Sequence, residues 1–151
     1  MERESGASTR TGALALIRNR WPSAVALVLL LVWRPDEQFD SPEPELFTMA
    51  LLLFAMGAIY LPWGAFRAEL RPRWLLWLQT VALFGFGTMA LVALDADLDI
   101  ARWVLAIGWL AHGLWDIAHF VANRVVPRQW SEFCGLVDVL AGSAMLWAVI
   151  A

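Results

Sequence analysis

Residues 46–66 read LFTMALLLFAMGAIYLPWGAF, a run without a single charged side chain. A helix of about 20 residues crosses the roughly 30 Å hydrocarbon core of a bilayer, so this run is long enough to span it. Lipid offers no partner for a free backbone N–H or C=O, and a spanning segment of this kind must therefore be helical. The run predicts a transmembrane helix.

Four other apolar segments extend this pattern along the chain. The predicted spans are Trp21–Trp33, Leu46–Phe66, Trp74–Leu94, Ala101–Ala122 and Phe133–Ala151. The first is the shortest, and Pro22 stands in the first-turn position that suits proline. We interpret it as a retained span that follows an N-terminal arm, residues 1–20, with an interfacial stretch from Gly12 to Arg20. The predicted fold is an all-α integral membrane protein with one transmembrane bundle over residues 21–151.

The composition excludes several classes of protein. Of 151 residues, 60% are hydrophobic and 17% are charged, and the mean hydropathy is +0.61. These values exclude an ordinary cytoplasmic enzyme and a disordered tail. A net charge of −3 without a basic cluster argues against a nucleic-acid partner, and a single Cys excludes a disulfide framework. All 11 basic residues are Arg, which is typical of GC-rich bacterial genomes and indicates a bacterial inner membrane.

Charged residues alternate between the two sides of the predicted bundle. The arginine-rich segments are the N-terminal arm and the second and fourth loops, with Arg3, Arg10, Arg18, Arg20, Arg67, Arg71, Arg73, Arg124 and Arg128. The first and third loops are acidic, with Asp36, Glu37, Asp40, Glu43, Glu45, Asp95, Asp97 and Asp99. Because cytoplasmic loops carry the excess of Lys and Arg, the N-terminus is predicted to be cytoplasmic and the C-terminus to lie outside.

The second and third spans resemble the fourth and fifth. Pro72 aligns with Pro127, Gly87 with Gly142, and Tyr60 with Asp116. Such repeats of helical hairpins occur in membrane proteins, and this one predicts a four-helix core with the first span packed outside it. Six of the 10 Trp are placed near span ends, as expected of an interfacial belt: Trp21, Trp33, Trp63, Trp74, Trp103 and Trp130.

Polar residues inside the predicted spans are the functional signal. The fourth span contains His112, Asp116 and His119, whose spacing places them on one helix face, and the fifth span contains Asp138. Counting about 1.5 Å per residue, Asp116, His119 and Asp138 lie at a similar depth in the cytoplasmic half, together with Tyr60, Gln79 and Thr80. An ionised group in hydrocarbon is costly, so the default interpretation of such a residue is functional.

General acid–base chemistry fits this inventory best. Two Asp in a low dielectric tend to share a proton, and a His relays it. We predict Asp116, His119 and Asp138 as catalytic residues that bind or transform a lipophilic small molecule by an isomerase, cyclase or epoxide-opening type of reaction. The predicted ligand-binding residues are His112, Trp115, Tyr60, Gln79, Thr80 and Trp77.

Three alternatives remain open from the sequence. A mononuclear metal site of Asp116, His119 and Asp138 is the weaker chemical alternative, and no cofactor is predicted. Hydrogen-bonded pairs that only join helices, such as Asp116 with His119 or Asp138 with His112, would explain part of the set. An accessory subunit that packs against a larger membrane complex through its Trp-rich surface is the main functional alternative. The expected partners are membrane lipids, a lipophilic small molecule, and other membrane subunits or a second copy.

In span number, length and tryptophan content the chain resembles the tryptophan-rich sensory proteins, which bind tetrapyrroles and sterols. The resemblance is one of architecture, as is a second one to four-helix membrane sterol isomerases that use intramembrane acids and His. It implies a membrane bundle with a lipophilic ligand, and no site residue is transferred from either family.

Overall fold

The computed structural model describes residues 20–32 and 44–151, and these residues form helices and turns without any strand. The helices are α1, Arg20–Val32; α2, Pro44–Phe66; α3, Arg73–Asp95; α4, Leu98–Ala122; and α5, Arg128–Ile150. The last four are long and apolar enough to cross a membrane. The prediction of an all-helical fold with four long helices able to span a membrane is confirmed for the described residues.

Helix α1 coincides with the predicted first segment to within one residue at each end. At ~1.5 Å per residue the described helix covers about 20 Å, which is short of the roughly 30 Å that a span requires. It packs beside the start of α5, where Glu132 accepts hydrogen bonds from Arg20 Nη1 at 3.1 Å and from Ser23 Oγ at 2.5 Å. The predicted arm up to residue 19, Trp33 and most of the first loop lie outside the described residues.

The long helices begin earlier than hydropathy predicts. Helix α4 begins at Leu98 instead of Ala101, and α5 begins at Arg128 instead of Phe133. Pro127, in an extended conformation with φ −60°, stands immediately before α5. Hydropathy marks where charged side chains become costly in hydrocarbon, whereas backbone hydrogen bonding carries a helix on into the polar interface.

Helix α4 is the centre of the bundle. It packs against α5, α3 and α2, whereas α2 packs on α3 and on α4. Helices α2 and α5 are not packed against each other along their length. Of the four long helices α4 is also the most buried. Side chains on α4 are therefore the ones that partners from three other helices can reach.

Glycines set the closest helix approaches. A Cβ added at Gly142 of α5 would lie 2.9 Å from the backbone nitrogen of Leu110 in α4, and one at Gly113 would lie 2.7 Å from Val139 Cγ2. Small residues of this kind let membrane helices approach backbone to backbone. The α4–α5 contact is thus the tightest part of the bundle, and it brings the middle of α5 against the polar face of α4.

One end of the bundle carries the α2–α3 and α4–α5 loops and is called the Arg-rich end. Its arginines are Arg67, Arg71, Arg73, Arg124 and Arg128. Arg124 Nε donates to Glu69 Oε2 at 3.2 Å and so ties the two loops together. Val125 and Val126 of the α4–α5 loop are fully buried against Tyr60 and Leu75. Val125 adopts a left-handed φ of 69°, which is costly for a β-branched residue, and this conformation turns the loop under the bundle.

Substitution of Gly142 by Ala tests the tight α4–α5 approach. The added methyl group meets the backbone of Leu110, which cannot move aside, so we expect a loss of about 1–3 kcal/mol of unfolding free energy. Thermal unfolding in detergent micelles measures it. Gly85→Ala is the matched control, because nothing lies within 4 Å of its added Cβ. Equal melting temperatures for the two variants would contradict this packing.

Candidate functional site

The interior of the bundle contains a group of buried polar side chains. Fully or almost fully buried are Tyr60 of α2, Gln79 of α3, His112, Asp116 and His119 of α4, and Ser131 and Asp138 of α5. Three of them come from α4, whose spacing of i, i+4 and i+7 places them along one face. Partners from the other long helices reach that face because α4 is the centre of the bundle.

His112 and Asp138 form the centre of this group. His112 Nδ1 lies 2.6 Å from Asp138 Oδ2 and 3.5 Å from Asp116 Oδ2, one turn along the same helix. The Tyr60 hydroxyl donates a hydrogen bond to Asp116 Oδ1. A carboxylate accepts and cannot donate when ionised, so the His112 Nδ1 proton is the one shared with Asp138. We call Tyr60, His112, Asp116 and Asp138 the carboxylate–imidazole cluster.

His119 belongs to a separate pair on the far side of the Tyr60 ring. Its Nδ1 lies 2.9 Å from the backbone oxygen of Trp115 and its Nε2 lies 3.0 Å from Gln79 Nε2. The carbonyl can only accept, so Nδ1 carries the proton there and Nε2 accepts from the Gln79 amide. Both ring nitrogens of His119 are therefore occupied by structural hydrogen bonds.

The cluster holds more acceptors than donors. Asp116 Oδ2, Asp138 Oδ1 and His112 Nε2 are buried without a hydrogen-bond partner. Aromatic rings surround them: Phe86 lies edge-on to His112 with ring centroids 4.8 Å apart, and Tyr60 lies 5.9 Å from it. Unsatisfied buried polar atoms are costly, and their concentration in one place is typical of a site that takes a ligand, ion or water.

A cavity of about 150 Å³ adjoins the cluster. It is lined by Ala55, Met56, Ile59 and Tyr60 of α2, His112 of α4, and Trp130 and Cys134 of α5. It lies where α2 and α5 are not packed against each other. A larger groove of about 510 Å³ between α2 and α3 has only apolar lining residues, and so it offers no reactive group.

The structure brings most of the predicted site residues together but separates two of them. Trp77 is 67% exposed on the outer surface of the bundle, which contradicts its predicted place in a pocket. Thr80 is only half-buried, and its hydroxyl donates to the carbonyl of Leu76 in its own helix at 2.9 Å. Both predictions differ from the structure for the same reason. The depth of a residue along a helix can be read from the sequence, but the direction of its side chain depends on its neighbours. Trp115 lies next to Tyr60 and His119, with ring centroids 6.4 and 4.9 Å apart.

The residues that could hold a metal ion differ from the predicted set, because His112 takes the place of His119. Among the described residues, ligand atoms of His112, Asp116 and Asp138 lie within 4.8 Å of one another, whereas His119 is held by Gln79. The 2.6 Å separation of His112 Nδ1 and Asp138 Oδ2 is a hydrogen-bond distance. It is shorter than the spacing of two ligands around a tetrahedral ion at about 2.0–2.2 Å. The arrangement as it stands suits a shared proton.

Sequence reasoning missed three aromatic residues near the site. Trp63 and Trp130, predicted to be interfacial belt residues without a further role, stack on each other with ring centroids 5.3 Å apart, and Trp130 lines the cavity. Phe86 packs on His112. An aromatic residue in an apolar span carries no sequence signal that separates a site wall from a lipid-facing surface.

Comparisons of the chain with protein-family models, with curated proteins and with solved structures give no match. The function is therefore argued from the geometry of the cluster and its cavity.

A double-mutant cycle on His112→Phe and Asp138→Leu tests the central contact. Each single substitution leaves a buried partner unpaired and should cost about 3–5 kcal/mol of unfolding free energy. The double variant should lose less than the two single losses together, by about 0.5–3 kcal/mol, in reversible unfolding measured in detergent micelles. The control cycle combines Asp99→Asn, an exposed position in the first turn of α4, with one of the two variants. In that cycle the losses of unfolding free energy should be additive. Additive losses for the first pair would show that the two side chains do not interact.

Proposed function

We propose that this protein binds or transforms a lipophilic small molecule by acid–base chemistry at the carboxylate–imidazole cluster. The observation that carries the proposal is the contact of His112 with Asp138 beside a cavity that the same His112 lines. If these polar side chains served only to join helices, we would expect their hydrogen-bonding atoms to be paired with one another. Here three buried polar atoms lack partners, and one of them, His112 Nε2, belongs to a residue that lines the cavity.

The roles of the residues follow from their hydrogen bonds. Asp138 accepts from His112 Nδ1–H and so orients the imidazole, which leaves Nε2 as the nitrogen that can take up or give back a proton. Asp116, held by the Tyr60 hydroxyl, is the second carboxyl group. Both carboxyl groups lie at the Nδ1 edge of one imidazole. Such a set can remove a proton at one ligand atom and return it at another, as a double-bond shift, a cyclisation or an epoxide opening requires.

This assignment places His112 at the reacting centre and His119 in support. Sequence reasoning ranked them the other way, because His119 lies closer in depth to Asp116. The Trp115 carbonyl and the Gln79 amide occupy both nitrogens of His119, so that residue has no free group for a ligand. His119 instead packs on the Tyr60 ring with centroids 4.7 Å apart and positions the phenol that holds Asp116.

The cavity walls favour a lipophilic ligand. Apart from His112, Tyr60 and Cys134, the lining side chains are hydrocarbon, thioether or indole. Pockets that bury a small molecule are mostly apolar with a few placed polar groups, which is the composition found here.

The accessory-subunit alternative has less support. It predicts an interior without reactive groups, whereas the interior contains the cluster. Exposed Trp147 and Trp77, 69% and 67% accessible, are compatible with contact to lipid as well as to a partner protein.

We further propose that the Arg-rich end faces the cytoplasm of a bacterium and that the chain lies in the inner membrane. Arg20 lies at the same end, since it bonds Glu132 in the first turns of α5. The opposite end carries Asp95, Asp97 and Asp99. This charge asymmetry is the one that sets orientation in bacterial membranes.

Organic extraction of the purified protein tests the proposed function. Protein isolated from membranes in mild detergent is extracted with chloroform–methanol, and the extract is compared by mass spectrometry between the native chain and Asp138→Asn. We expect a lipophilic molecule in the native extract and at least about tenfold less of it in the variant, equivalent to ~1.4 kcal/mol of binding.

The matched control is Asp99→Asn, which removes a carboxylate at an exposed position in the first turn of α4. It should retain the molecule. Identical extracts from all three proteins contradict the proposal, a stoichiometric metal in the native protein alone favours the metal alternative, and a stoichiometric protein partner favours the accessory subunit.

Reporter fusions test the orientation. Alkaline phosphatase fused after Ala151 should be active, because the proposed C-terminus is outside and this enzyme folds only where disulfides form. The same reporter fused in the α2–α3 loop, after Arg71, should be inactive. The reverse result would invert the proposed topology.

A further inference from the structure

We infer that the ligand of this site is a lipophilic amine and that it reaches the cavity sideways from the bilayer, through a groove beside α1 and past Trp130. The inference deepens the proposed function and rests on it for the identity of the site. It adds the chemical class of the ligand's polar group and the path by which that group arrives.

The imbalance of hydrogen-bonding groups points to the amine. Two of the four carboxylate oxygens in the cluster, Asp116 Oδ2 and Asp138 Oδ1, are buried without a donor. A single added proton, whether it lies on His112 or is shared by the two carboxyl groups, balances only one of the two negative charges. An ammonium group supplies the missing positive charge and up to three N–H donors, whereas a carbonyl or ether supplies neither.

Two adjoining spaces would hold different parts of the ligand, its polar head and its apolar body. The cavity next to His112 holds about 150 Å³, enough for a small polar head. A groove of about 340 Å³ lies beside it, lined by Trp21 and Val25 of α1, Trp63 of α2, and Pro127, Gln129, Trp130 and Phe133 at the start of α5. Together the two spaces fall in the roughly 300–1,000 Å³ range of small-molecule pockets.

Trp130 separates the two spaces and controls passage between them. It lines both, and its indole stacks on Trp63. The groove therefore meets the cavity at this stacked pair. Indole rings attract cations, so an ammonium that passes beside this pair is favoured over a neutral head of the same size.

The axial path to the cluster is closed at the Arg-rich end. Val125 and Val126 are fully buried under Tyr60 at the Arg-rich end, together with Leu75. A ligand that came from water along the bundle axis would have to displace these side chains. On the side of the bundle between α2 and α5 lie the cavity and the groove, and there the two helices meet through the Trp63–Trp130 pair.

Protection of Cys134 tests the inference on the native chain. Cys134 lines the cavity and is the single Cys of the sequence, so its alkylation is read without ambiguity from the intact mass. The protein in phosphatidylcholine vesicles is treated with N-ethylmaleimide alone or with decylamine, decanol or decane. At about ten times its dissociation constant decylamine should slow alkylation about tenfold, because the reagent reaches only empty sites. Decanol should protect less, and decane should not protect.

Equal protection by all three probes overturns the amine assignment, and so does decanol protecting as well as decylamine. Asp138→Asn should weaken protection by decylamine, measured as the ratio of the alkylation rates without and with probe in the same variant. Asp99→Asn is its control and should keep full protection.

A separate pair of variants tests the lateral route into the cavity. Trp130→Ala opens the partition and should raise the alkylation rate several-fold, whereas Trp77→Ala, an exposed indole on α3, should leave it unchanged. An unchanged rate in Trp130→Ala overturns the lateral route. Failure of the amine is distinguishable from failure of the proposed function: loss of the extracted molecule in Asp138→Asn without protection by decylamine keeps the site and rejects the amine.

Discussion

A carboxylate inside hydrocarbon must find a partner or give up its charge, and the centre of this bundle is arranged around that constraint. Asp138 on α5 and Asp116 on α4 both turn toward His112, and Tyr60 caps Asp116 from α2. Three helices are joined by these contacts. Lipid cannot replace any of them, so the same groups that give the site its chemistry also fix how the helices face one another.

The close α4–α5 approach makes this meeting possible. Gly113 is one residue from His112, and a Cβ there would press on the backbone of Val139, the neighbour of Asp138. The absence of a side chain at that point lets the short aspartate reach an imidazole on the facing helix at 2.6 Å. A bulkier residue would separate the backbones and leave both groups unpaired, so packing and polar pairing depend on each other here.

The two buried histidines differ in how many of their ring nitrogens are hydrogen-bonded, and this difference distinguishes a structural role from a chemical one. His119 uses both ring nitrogens within the fold, while His112 uses one and adjoins a cavity. In hydrocarbon an unpaired acceptor is not relieved by solvent, and the fold tolerates it where a ligand or a proton completes it. The carboxylate–imidazole cluster therefore brings three buried polar atoms without a hydrogen-bond partner together at one place in the described bundle.

The sequence by itself determined the class of fold and the depth of the polar residues. Apolar runs of helical span length fix the four long helices, and a rise of ~1.5 Å per residue fixes how far Tyr60, Asp116 and Asp138 lie from the helix ends. Only the tertiary structure decided which way each side chain points. It placed His112 rather than His119 beside Asp138, turned Trp77 outward and brought Trp130 to the cavity. The physical reason is that hydrophobic periodicity carries little directional information in a helix surrounded by lipid, so rotation and pairing are set by contacts between helices that no single segment encodes.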